Sequence, residues 1–196
     1  MAFVDLPASP GPASCRFIPV RFSELLTPPM GGEDQQINHL GNRWAIEVRL
    51  PRLSLAQARE WSAALTDGAR NGARFKLRQL DLVIGAPGTV LVNGAGQGGL
   101  TLNVDGMTQW AGWTRGQFVN VITGGRRLLY MFSAAGHSAD GTAALPFNTP
   151  LRRSPADNDV VDFMPQIEGT LSGADDWEID DLRLGTAPPF MIREMV

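Results

Sequence analysis

The sequence of 196 residues holds one cysteine, two histidines, one tyrosine and a single lysine. With Cys15 alone, no disulfide can close within the chain. One cysteine with His39 and His137 falls short of the four Cys/His ligands of a structural zinc site, so no metal is expected. Lys76 is the only lysine and every other cation is arginine, whose planar guanidinium suits bidentate pairing with carboxylates at interfaces. No stretch approaches the roughly 18 consecutive apolar residues of a membrane helix. Residues 1–14 lack the basic start and apolar run of a secretory signal. These absences read as a soluble chain made in a reducing cytoplasm. With 17 basic against 20 acidic residues, a net charge of −3, the composition offers no electrostatic basis for a nucleic-acid partner.

What the chain has in quantity is turn chemistry: 22 glycines and 14 prolines, dispersed without a repeat. Spread that way, they punctuate many short elements. Residues 1–14 (MAFVDLPASPGPAS) read as an extended N-terminal arm with no core of its own. A strand follows over 15–26, with a turn or long hairpin tip at 27–34 (TPPMGGED). In Arg43 to Leu50 the residues Trp44, Ile46, Val48 and Leu50 alternate with Ala45, Glu47 and Arg49, a period of two that gives one buried face. Pro51 stops that strand. Ser54 is placed to cap a helix over about residues 54–66, with Leu55, Ala58, Trp61 and Leu65 on one face. Short strand signals then return, with Gly124-Gly125 marking a hairpin, Val160–Phe163 and Gln166–Leu171 suggesting a further pair, and 177–184 a last strand. The reading is a mainly β protein, an antiparallel sandwich or barrel with one short helix, as a domain over 15–187 followed by a C-terminal tail at 188–196.

The usual marks of chemistry are weak. Gly94-Ala-Gly-Gln-Gly-Gly lacks the Gly-Lys-Ser/Thr ending of a phosphate loop, and no helix pattern follows it, so a hairpin connection is expected and no cofactor. Asp175, Asp176, Glu178, Asp180 and Asp181 crowd around Trp177 without an EF-hand loop, and read as a solvated loop and strand edge. His137 and Ser138 adjoin in a turn-like stretch with no Gly-x-Ser-x-Gly elbow. A hydrolase built from His137 and the acidic cluster is the catalytic alternative; the expectation is that there are no catalytic residues. Cys15 reads as a small buried hydrophobe. Trp44 and Trp61 read as core. Trp110 and Trp113, in a Gly- and Thr-rich stretch, are candidate interface anchors or a stacking platform for a host-surface glycan. Phe190, Met191 and Ile192, in the tail Pro188-Pro-Phe-Met-Ile-Arg-Glu-Met-Val196, are further interface candidates, against the alternative that the tail packs on its own domain.

A resemblance sharpens this reading. Arg43-Trp-Ala-Ile-Glu-Val-Arg-Leu-Pro51, then Ala56-Gln-Ala-Arg-Glu-Trp61, then Gly72-Ala-Arg-Phe75 and Val92-Asn-Gly-Ala-Gly-Gln97 resemble β-rich tail proteins of bacteriophages and prophages. Asp140-Gly-Thr-Ala-Ala-Leu145 and Pro150-Leu-Arg-Arg-Ser-Pro155 are similar to later pieces of that family. The likeness runs over about residues 35–185 and departs at 114–117, where Arg115-Gly116 stands in place of Gly-Asp. It implies a structural component of the virion near the tail tip, a distal tail or hub-associated protein. Such a protein forms a homo-oligomeric ring and contacts other phage tail proteins. The alternative, from the residues alone, is a carbohydrate-binding β-sandwich module that uses Trp110 and Trp113.

Overall fold

The computed structural model describes residues 3–38, 40–80, 82, 85–174, 178–179 and 184–195. Two six-stranded sheets and one helix dominate it, a mainly β architecture. The first sheet runs in the order Val4–Asp5, Ala73–Lys76, Gln166–Ser172, Phe190–Glu194, Arg43–Arg49, Ser14–Val20. Its pairs are antiparallel except the first, where Val4 lies parallel to Ala73. The second runs Arg126–Met131, Phe118–Thr123, Val160–Asp162, Gly88–Val92, Thr101–Met107, Ala143–Pro146, antiparallel throughout. It curls until its outer strands meet at one end. There Phe132 bridges Phe147, the Ser133 N–H donates to the Pro146 carbonyl (3.0 Å) and the Asn148 N–H to the Met131 carbonyl (3.0 Å). Closing a sheet on itself hides edge groups that would otherwise invite pairing with another chain.

The period-two strand is where the sequence places it, at Arg43–Arg49, with Trp44, Ile46 and Val48 turned into the core. The helix, Leu55–Asn71, starts at the expected cap. The Gln57 N–H donates to the Ser54 hydroxyl (3.4 Å), and the Ser54 N–H donates to the Gln57 side chain (3.0 Å). It runs past the expected end near residue 66. Gly68 is buried within it, because a Cβ there would lie 3.2 Å from that of Ala73; close packing holds this glycine, which does not end the helix. The stop is Gly72, at φ +84°, a conformation that glycine adopts without strain. Ala58, Trp61 and Leu65 face the first sheet, and Trp61 meets Phe190 at 6.2 Å between ring centres. Each large apolar side chain buried this way contributes about 1.5–3 kcal/mol.

Gly124-Gly125 (φ +55° and +73°) turns the hairpin between Phe118–Thr123 and Arg126–Met131, with Phe118 opposite Met131. These two strands form a shared wall. Val119, Val121, Leu128 and Tyr130 point into the curled sheet's own core. Phe118 and Leu129 point the other way, into the core beneath the first sheet.

Several expectations are corrected. The strand expected over 15–26 is two, Ser14–Val20 and Ser23–Leu26, interrupted where the Phe22 N–H donates to the Asn42 side chain (2.7 Å). Val160–Asp162 and Gln166–Ser172 do not pair: they belong to different sheets. The N-terminal arm is docked on its own domain, with Leu6 in the core. The C-terminal tail is a strand near the middle of the first sheet, between Gln166–Ser172 and Arg43–Arg49, because Phe190, Ile192 and Glu194 alternate inward. The strand expected over 177–184 falls largely outside the described residues.

Candidate functional site

Three places in the molecule combine chemistry with an unusual environment. The first is a charged knot where the two sheets meet. Glu194 and Arg152 are both buried, and the carboxylate accepts both terminal nitrogens of the guanidinium at 2.5 and 2.8 Å. Its oxygens also accept the backbone N–H groups of Trp44 (3.1 Å) and Leu129 (2.7 Å), one from each sheet. Arg152 further donates to the Leu129 carbonyl (2.7 Å) and lies 4.8 Å over the Tyr130 ring. Burial pulls the guanidinium toward neutrality, but the charge and hydrogen bonds of Glu194 more than offset this, and its pKa lies above the usual arginine value. A second buried carboxylate, Glu168, is held by Arg74 (2.9 Å) and Arg126 (3.5 Å). Each carboxylate is matched by arginine and bridges strands of the two sheets, so these groups lock the sheets together.

The second is the exposed Trp110, next to a cavity of about 280 Å³ lined by residues that include Pro87, Thr108, Gln109 and Phe163. Its backbone is left-handed (φ +64°), an uncommon state for a bulky residue. It is fixed by donation from the Trp110 N–H to the Ser138 carbonyl (3.0 Å), and the indole stacks on His137 at 5.4 Å. Trp113 is not its partner: it is buried in the curled sheet's core, 5.9 Å from Phe132, and a Cβ on Gly136 would sit 2.5 Å from its ring. A two-tryptophan surface platform is therefore corrected to one exposed indole backed by a histidine.

The third is a two-stranded β-hairpin with exposed apolar side chains. Ser23–Leu26 pairs with Gln35–Asn38, a two-stranded sheet separate from the two large ones among the described residues. They prolong the embedded pair Ser14–Val20 and Arg43–Arg49 beyond the Phe22–Asn42 junction. Leu25, Leu26, Met30, Ile37 and Leu40 are exposed along this arm, Met30 at 96%. Its charged residues Glu24, Glu33 and Asp34 are all acidic. At the far end of the strand from which the arm leaves lies a groove of about 350 Å³. It is lined by Pro12, Cys15, Phe17, Leu80 and Phe118, among others, with Arg78 in its wall. Burial pushes the Cys15 thiol up, and the nearby Arg78 charge opposes this.

The remaining candidates are dispersed. Phe190 and Ile192 are 1% and 0% exposed, so they are core and cannot meet a neighbour; Met191 is half-buried on the opposite face of the same strand. The Ser138 hydroxyl accepts the Gly141 N–H (3.0 Å). Gln97 clasps the glycine-rich stretch as a hairpin turn, its amide donating to Asn93 (2.8 Å) and Asn103 (3.0 Å). Cys15 lines a groove and is only half-buried. His39, Asp175, Asp176, Trp177, Asp180 and Asp181 lie outside the described residues. Among the described residues no three His, Cys, Asp or Glu side chains gather to hold a metal, and no helix is long and apolar enough to cross a membrane. Sequence reading places a turn or long hairpin tip at 27–34, and the structure has a hairpin there; what it misses is the exposure of Leu25, Leu26 and Ile37 on the flanking strands. No protein-family model matches this sequence, and no curated protein was found to be similar to it.

Proposed function

We propose that this chain is a structural subunit of a bacteriophage tail, in the distal tail or tail-tip region, that acts by self-assembly and by contacts to other tail proteins without catalysis. The observation that carries the assembly part is the two-stranded hairpin. Its apolar side chains are left in water by their own chain, which a stable monomer has no reason to maintain. The tail assignment rests on the resemblance of residues 43–51, 56–61, 72–75 and 92–97 to phage tail proteins. Arginine in place of lysine suits subunit contacts as well. The test is the mass of the purified chain by light scattering across a concentration series, with negative-stain images of any large species. A discrete ring, trimer or hexamer is the expected result; a strict monomer shifts weight to the second reading.

That second reading is a carbohydrate-binding module, favoured by the Trp110 indole, which stands on His137 beside a cavity. Glycan-array binding by a monomer, lost in Trp110→Ala, would establish it.

A further inference from the structure

Resting on the self-assembly reading, we infer that the hairpin arm of one copy seats in the Cys15–Arg78 groove of a second copy, tip into groove. The surfaces match in chemistry. The arm offers Leu25, Leu26 and Met30 with three carboxylates, Glu24, Glu33 and Asp34, and no lysine or arginine between Phe22 and Asn42. The groove offers an apolar lining of Phe17, Leu80 and Phe118, and two arginines stand in or next to it. Arg78 lines it, and Arg115 is exposed beside the lining residue Gly116. Leu80 is itself 75% exposed.

Topology makes the contact intermolecular. The groove flanks residues 12–17, whereas the arm begins beyond Val20, at the other end of the same strand. A strand of seven residues spans roughly 20 Å. For the arm to reach its own groove it would have to fold back along the strand it prolongs, breaking the Val20–Arg43 pairing. A contact between two different patches is heterologous, so it propagates head to tail and closes into a ring when the rotation between copies permits.

Cys15 supplies the test, since it is the only thiol in the chain and lines the groove. In Met30→Cys, a short bismaleimide should join residue 30 of one copy to Cys15 of the next. The product should be a ladder of dimers, trimers and higher species on a denaturing gel, with the 30–15 linkage identified by mass spectrometry. Glu33→Arg with Asp34→Arg, and separately Arg78→Glu with Arg115→Glu, should each weaken association about tenfold or more. Mixing the two charge-reversed proteins should restore mixed assembly. Thermal melting confirms that each variant is folded. If the wild type assembles but no 30–15 linkage forms and the reversals do nothing, the arm–groove contact is overturned while self-assembly stands. A wild-type chain that stays monomeric up to about 1 mM, a contact weaker than roughly −4 kcal/mol, overturns the contact and leaves the tail assignment to depend on other proteins.

Discussion

The two halves of one long hairpin differ more than any other neighbouring regions of the molecule. In the base half, Ser14–Val20 pairs with Arg43–Arg49, and Trp44, Ile46 and Val48 are 8%, 1% and 0% exposed. In the distal half, Ser23–Leu26 pairs with Gln35–Asn38, and Leu25 and Ile37 are 60% and 37% exposed. Both halves have a regular antiparallel ladder and apolar side chains. The base packs on the Phe190–Glu194 strand at its side and on Phe118 and Leu129 beneath it, whereas the distal half leaves its leucines exposed. Backbone pairing alone does not make a hairpin independently stable in water. The comparison therefore separates residues that hold the fold from residues that the fold displays.

The sharpest way to break it is at the base. Glu194→Ala leaves Arg152 charged and buried without its carboxylate, and the Trp44 and Leu129 N–H groups without their acceptor. A loss of about 3–5 kcal/mol, enough to threaten folding, is expected in urea denaturation. Replacing Glu194 and Arg152 together by Met and Leu should cost much less than Glu194→Ala, because no charge is then stranded. Next comes Trp61→Ala, which empties the space between the helix and Phe190 and should cost about 3–5 kcal/mol by the same measurement. Ser54→Ala, which removes half of the helix cap, should cost about 1 kcal/mol. In the distal half, Leu25→Ser with Ile37→Ser should change stability by no more than about 0.5 kcal/mol, yet reduce association in light scattering. A large loss of stability in that double variant would show that the arm belongs to the monomer's core.

The Cys15 thiol gives a pH-dependent readout of the groove at the base. Burial raises its pKa in the folded chain, so the folded protein keeps the neutral thiol to higher pH than the unfolded chain does. Any stability this contributes is complete below the ordinary thiol pKa and is lost as pH rises through the folded value. Alkylation near pH 8 should accordingly be slower in the native protein than in urea.

Much of the base was legible in the sequence, and little of the display was. The alternation of Trp44, Ile46 and Val48, the Ser54 cap and the Gly124-Gly125 turn are local signals, and each lies where local physics puts it. What pairs with what depends on contacts far apart in the chain. Phe190-Met-Ile-Arg-Glu194 follows two prolines and reads as a tail, because nothing near it reveals that its partners are residues 45–48 and 169–172. The tryptophans show the same limit. Trp110 and Trp113 sit three residues apart in similar company, and only the bridge of Gly112–Trp113 to Gly136–His137 puts one inside and leaves the other out. The arm's exposure was hidden because a Leu-rich strand normally implies a covering layer.

The central position of the Phe190–Glu194 strand also bears on synthesis. The Trp44 N–H donates its hydrogen bond to the side chain of Glu194, 150 residues later. At about 5–20 residues per second, the ribosome delivers that partner on the order of 10 s after Trp44 itself. Throughout that interval the Arg43–Arg49 strand has an open side and an uncovered apolar face, while the curled sheet, whose strands all lie within residues 88–162, can already form. The nascent chain thus passes through a stage with one finished half and one adhesive half, the stage at which chaperone capture or misassembly would act.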